Sequence, residues 1–329
     1  MMHSIDMHCD TLMAAAMKNV EDLSKADLRE MPGCSIDFKR LHEARAMAQC
    51  FAIFFPPQEG LRQRSGLTDE QYLTACHQVF TQSLERNTDL ILQARSAEDV
   101  RRNFAAGKPS AILTIEDSRA VDGKLENIKR FYDMGVRAMS LTWNGANCIG
   151  FPNSKDPELM NKGLTDFGKE AVAYMQELGI LVDVSHLSDG GFYDVAKLCR
   201  KPFVATHSNC RALSPHQRNL TDEMLKILGD KGGVTGINFC SNFLAADSSS
   251  GASTAKDMAA HARHMADKGG MDCVALGSDF DGIGSHLEVD SPLKMGLLED
   301  ELKKVGFNED EIEKIAYKNV LRVMDEAMK

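Results

Sequence analysis

Eight short apolar runs, separated by helical patterns, constrain this sequence more than any other feature. They fall at 4–8, 46–54, 111–115, 136–142, 180–185, 203–206, 234–238 and 273–277. Each has the length of a strand buried on both faces, as in a parallel sheet. Between them, 71–86, 124–134, 165–178, 192–198, 222–228 and 254–267 space apolar residues three and four apart, the period of a helix facing a core. Gly135, Gly179 and Gly233 follow helical segments as stops. Two more helices are predicted over 297–305 and 310–328. This alternation predicts an α/β fold: one single-domain (β/α)8 barrel of the TIM type, with additional C-terminal helices, over residues 1–329. Segments 60–66 and 247–253 are expected to be mobile loops, the second a candidate lid.

The residues at the ends of those runs set the chemistry. The first run ends in His8, then Cys9 and Asp10. Alternate side chains on a strand share a face, so His8 and Asp10 point one way and Cys9 the other. Glu116 follows the third run, His186 the fifth, His207 the sixth, and Ser278-Asp279 the eighth. A barrel brings the C-terminal ends of its strands to one rim, where active sites form. Three imidazoles and several carboxylates gathered there are costly without a cation. These donors suit zinc, with manganese, cobalt and iron as alternatives on ligand type. Five protein ligands exceed what one catalytic ion takes, so two divalent ions sharing Glu116 are expected. Such a pair, ~3.5–4 Å apart, can share a hydroxide and make a nucleophile near neutral pH.

The charge and the cysteines narrow the partners. A net charge of −10 disfavours nucleic acid and anionic membrane surfaces. No apolar run reaches the ~20 residues of a membrane span. The opening MMHSIDMHCD has no basic-then-apolar leader. Nine scattered cysteines without a CxxC predict free thiols and a cytoplasmic setting. They offer no ligand spacing, which leaves any metal to His and carboxylates.

Several stretches stand in order along nearly the whole chain: IDMHCDT, AILTIED, GVRAMSLTWN, GLTDFGKEAVAYMQELGILVDVSHLSD, PFVATHSNCRALSPHQRNLTDEML, GGVTGINF, ALGSDFDGIG and KNVLRVM. On these the chain resembles the membrane (renal) dipeptidase family, zinc peptidases of the amidohydrolase superfamily. The resemblance implies that His8 and Asp10 hold one zinc, Glu116 bridges, and His186 and His207 hold the second. It implies that Asp279 moves protons as general base and then acid, and that Arg218 binds the substrate's C-terminal carboxylate. It further implies dipeptide substrates, tolerance of a C-terminal D-residue, and a homodimer. The preference for Glu116 over Asp117, and for Asp279 over Asp281, rests on the resemblance alone.

Two positions depart from the family pattern. The fourth strand often ends LTH there, but here it ends Thr142-Trp143-Asn144. Tryptophan donates one N–H and takes no charge. Holding the substrate oxygen then falls to a zinc ion or to Asn144. Cys240 stands where a tyrosine often follows strand seven. Another binuclear amidohydrolase and a non-catalytic metal-binding protein are the alternatives. His261 and His264, three apart on a predicted helix, are expected on a solvated face. Asp279, Asp281, Gly284 and Asp290 do not make a calcium loop, because Ile283 stands where an oxygen ligand is required.

Overall fold

The structure is a computed structural model that describes residues 2–328. Its eight barrel strands are β1 (Ile5–Asp6), β2 (Ala48–Phe54), β3 (Ser110–Glu116), β4 (Val136–Ser140), β5 (Leu181–Asp183), β6 (Val204–Ala205), β7 (Val234–Ile237) and β8 (Val274–Leu276). Each pairs in parallel with the next, and β8 returns to β1 through Leu276 and Asp6. The sheet is therefore a closed barrel, as the alternation predicts.

Strand alternation sorts the core into two parts. In β3, Ala111, Leu113 and Ile115 pack into the layer between barrel and helices. The residues between them, Ser110, Ile112, Thr114 and Glu116, consequently face the barrel interior. Ile112 lies in a second cluster with Met7, Cys50, Ala138, Leu181 and Val204. Val320 and Met324 of the last helix, Asn319–Ala327, join that cluster and close the barrel floor. Each such side chain stabilises the fold by about 1.5–3 kcal/mol when fully buried. Glu116 stands at the opposite end of the same strand, at the upper rim.

Small residues bring the last strands close together. A Cβ on Gly236 would lie 2.0 Å from the Thr206 carbonyl oxygen, and one on Gly277 would lie 1.8 Å from it. Only glycine permits that approach. It places His207, one residue beyond Thr206, beside the segment that carries Asp279.

Several elements differ from the sequence expectation. Gln58–Ser65 is a helix and not part of a mobile loop; Gly66, at φ 70°, ends it. Of that helix only Leu61 is buried, so the apolar periodicity that marks a helix is absent. Part of 247–253 is also ordered, because Ala252–Ser253 pairs with His286–Leu287. Gly232, at φ 72°, supplies the left-handed residue expected of Gly233. A short strand, Leu92–Gln93, and a helix, Ala97–Ala105, were not anticipated. His261 is 1% exposed and not solvated. Its ring accepts from the Cys210 N–H and donates to the Leu244 carbonyl, so it ties the segment beyond β6 to the short helix Ser241–Leu244. His264 pairs with Asp222 at 2.7 Å.

Candidate metal centre

The five residues expected as ligands meet at the barrel rim. Beyond β1 the chain leaves the ladder, and Cys9 bridges to Phe280. Cys9 is fully buried in the outer core. His8 and Asp10 turn the other way, with His8 Nε2 3.6 Å from Asp10 Oδ2. At the end of β3, the two oxygens of Glu116 face different partners. Oε2 lies 3.5 Å from His8 Nε2. Oε1 lies 3.0 Å from His186 Nε2 and 3.4 Å from His207 Nε2. One carboxylate thus stands between two donor sets, His8 with Asp10 and His186 with His207.

The hydrogen bonds around the imidazoles fix which nitrogens are free. Asp183 Oδ2 accepts from Thr206 Oγ1 at 2.6 Å. The Thr206 oxygen then accepts from His207 Nδ1, 2.8 Å away. His186 Nδ1 donates to Asn144 Oδ1 at 3.2 Å. Both rings, on this network, present bare Nε2 lone pairs to the site. Those two nitrogens are 3.2 Å apart, with Glu116 Oε1 beside them. Three acceptors converge where no donor is supplied. His8 Nε2 and Asp10 Oδ1 are likewise buried without hydrogen-bond partners. A cation resolves both conflicts, so the donor set fits divalent metal.

Charge crowding points the same way. Burial raises the Glu116 carboxyl above its ordinary range, and the Asp10 and Asp279 charges add to it against the attraction of His8. Burial likewise raises Asp279, and Asp10 adds to it. His8 is pulled down by burial but held well above the usual imidazole range by Glu116 and Asp10. His186 and His207 are driven well below that range, first by burial.

Backbone geometry aims these groups. His186 and Asp279 occupy left-handed backbone, at φ 68° and 64°. Such conformations persist where the surroundings over-determine them, commonly at functional sites. The Asn153 N–H and Nδ2 both donate to the His186 carbonyl, and Thr142 Oγ1 reaches it too. Gly282 lets the chain pass over the site: a Cβ there would stand 2.0 Å from Asp10 Oδ2 and 2.8 Å from Asp279 Oδ1.

The competing acids are used elsewhere. Asp117 accepts from Asn147 Nδ2 and pairs with Arg119. Asp281 accepts from Thr11 Oγ1 and from the Ser35 and Ile36 N–H groups. Asp279 accepts from Asn238 Nδ2 at 2.8 Å and faces His8 Nε2 at 3.9 Å.

A cavity of about 650 Å³ opens over the centre. Arg218 and Asn144 both line it. Arg218 is 4% exposed, and its Nη1 donates to Ser208 Oγ at 2.6 Å. Its Nε and Nη2 are buried without partners. A guanidinium left so half-satisfied is a site for an anion. Asn144 also supports His186, a contact that sequence reasoning did not foresee. Trp143 stands on the cavity wall with its ring against Phe54, centroids 4.9 Å apart. The Asp183–Thr206 support was also missed. Its signal was a polar residue inside each of two apolar runs, just ahead of a histidine.

The profile of the membrane dipeptidases, peptidase family M19, matches residues 1–329. The chain belongs to this family. M19 members are metal-dependent dipeptidases, and the barrel is theirs. The crystal structure of the dipeptidase AC, a metallo peptidase, superposes with a TM-score of 0.87 at 26% identity, over 99% of both chains. A metallo peptidase from Rhodobacter sphaeroides, bound to a phosphinate mimic of the dipeptide L-Ala-D-Ala, gives 0.86 at 26% identity over 99% of both. Among curated proteins, dipeptidase verJ of Clonostachys rogersoniana is 28% identical over 312 residues, 93% of this chain and 79% of its own. An uncharacterized protein from the pqqA 5′ region of Klebsiella pneumoniae is 36% identical over 253 residues, 75% of this M19 chain and 92% of its own. Among the described residues, no helix of this M19 protein is long and apolar enough to cross a membrane.

Proposed function

We propose that this chain hydrolyses dipeptides with two zinc ions, one held by His8, Asp10 and Glu116 and the other by Glu116, His186 and His207. The observation that carries the reading is the placement of Glu116, whose two oxygens face the two donor sets separately. When bound, such ions supply Lewis acidity for the scissile carbonyl and lower the pKa of a water towards neutrality.

The chain's own residues do the rest. Asp279 is the general base and then the general acid: it is buried at the cavity floor, Asn238 orients its Oδ2, and burial keeps its proton affinity above that of an ordinary carboxylate. Arg218 grips the terminal carboxylate with its two free donors. A clamp in the same cavity as the centre measures length and favours dipeptides over longer chains. Asn144 holds His186 and lends its side chain to the cavity wall. The L-Ala-D-Ala mimic bound by the Rhodobacter sphaeroides relative supports acceptance of C-terminal D-residues. Nine unpaired thiols support a reducing, cytoplasmic setting.

The test is hydrolysis of an L,L- and L,D-dipeptide panel, with metal analysis of the same sample. Hydrolysis is expected to vanish with chelator and return with zinc, at two ions per chain. A chain that loads zinc but cuts no dipeptide overturns the reading. Cleavage of lactones or other amides instead would favour a different amidohydrolase activity. Replacing Arg218 by Ala is expected to raise KM about a hundred-fold, since truncating one partner of a buried charge pair costs about 2–5 kcal/mol. Steady-state kinetics on one good dipeptide checks this, and an unchanged KM removes Arg218 from the substrate site.

A further inference from the structure

We propose that Lys155 is a specificity-determining residue, which selects dipeptides whose C-terminal residue carries an acidic side chain. The inference rests on the dipeptidase reading and adds a substrate class to it. Lys155 lines the same cavity as Arg218 and the metal centre. Its position is built by its neighbours. Asn153 is fastened through its N–H and Nδ2 to the His186 carbonyl. On the other side, the Asp156 N–H donates to Ser154 Oγ, and Asp156 caps the helix Pro157–Met160. Lys155 is thus held at the mouth on a segment pinned to a metal-ligand residue.

Its charge is not spent within the chain. The carboxylates that line the cavity are Asp10, Glu116 and Asp279, all drawn into the metal centre. Among the described residues, none is paired with Lys155. The chain as a whole carries −10, yet the substrate-facing wall presents two cations, Arg218 and Lys155. A cleft charged opposite to the bulk of its protein selects ligands of the bulk's sign.

His216 relates the two cations. Its Nδ1 accepts from the Arg218 backbone N–H at 3.1 Å. His216 lines the cavity with both cations, and burial first, then the charges of Arg218, Lys155 and Arg211, lower its imidazole. Arg218 takes the terminal carboxylate. Lys155, on the wall of the same cavity, is assigned the second anion of that residue, an aspartate or glutamate side chain.

The experiment compares kcat/KM for Ala–Glu and Ala–Gln on the zinc-loaded enzyme, using the C-terminal configuration that it cuts faster. The wild type is expected to favour Ala–Glu about two- to five-fold, the range of an exposed charged contact. In Lys155→Met the ratio is expected to fall to about one, and Lys155→Glu to favour Ala–Lys over Ala–Glu. A ratio near one in the wild type, or the same ratio in all three proteins, overturns the role of Lys155 and leaves the dipeptidase reading intact. Failure of the loaded wild type to cut any of these dipeptides overturns that reading, and this proposal with it.

Discussion

Glu116→Gln is expected to empty the metal centre and to lower kcat/KM for dipeptides by about three orders of magnitude or more. Glutamine keeps the shape but offers one acceptor and an NH2 group. Whichever way the amide turns, one donor set faces N–H groups in place of an oxygen. If the NH2 faces His186 and His207, it satisfies their lone pairs, now 3.0 Å and 3.4 Å from Oε1, and competes with metal outright. Metal content is expected to fall to one ion per chain or none. The fold should survive, because burial already disfavours the Glu116 charge. A carboxyl raised by folding stabilises the metal-free protein at low pH, and this contribution is lost as pH rises through the folded-state value. The metal-free variant should therefore lose less stability on going to neutral pH than the metal-free wild type. Elemental analysis, and thermal melts between about pH 4.5 and about pH 7, check both statements. Two ions retained by the variant would remove Glu116 from the bridge.

The barrel was legible because its strands are apolar on both faces and its helices on one, two periods that a sequence displays openly. Elements with little buried surface were not. Gln58–Ser65 buries Leu61 alone, and Leu92–Gln93 is too short for any alternation to show. The misplacement of His261 has a different cause. Its helix, Ala255–Gly269, also buries Ala255, Met258, Ala259, Ala262, Met265 and Ala266, a stripe wide enough to take in position 261. A histidine counts as polar in such a pattern, but here both ring nitrogens find backbone partners in the core.

The clustering of the candidate ligands was legible for the same reason as the strands: each stands where an apolar run stops, and the barrel sends every such stop to one rim. Local sequence could not separate Glu116 from Asp117, or Asp279 from Asp281. These are decided by backbone turns at the strand ends. Asp117 and Asp281 both sit in left-handed backbone, at φ 70° and 68°, and each turns to a loop or an arginine. Nor could the sequence show what supports the ligands. The contacts of Thr206 with Asp183 and of Asn144 with His186 link residues 23 and 42 positions apart, through hydrogen bonds that carry no periodic signal.

Asp279→Asn separates the two roles that the geometry leaves to this residue. Asp279 Oδ1 is 3.9 Å from His8 Nε2, and His8, His207 and Asp279 themselves form a group compact enough to hold an ion. Yet each of the two sets joined by Glu116 is complete without it. As a proton carrier, its loss should lower kcat by about 10²–10⁴-fold, the usual worth of a general acid–base group. KM should change little, since the proposed clamp on the substrate's charge is Arg218 and not Asp279. Zinc content should stay at two per chain. The acid limb of the wild-type pH–rate profile should also disappear in the variant. That limb should lie below the pH suggested by the metal-free site, because the two proposed dications would favour the charged carboxylate against the burial that raises it. An asparagine amide still faces Asn238, so the cavity floor keeps its shape and the comparison isolates the proton. Loss of zinc in place of loss of rate would make Asp279 a ligand, and the proton would then have to pass to another group on the cavity wall.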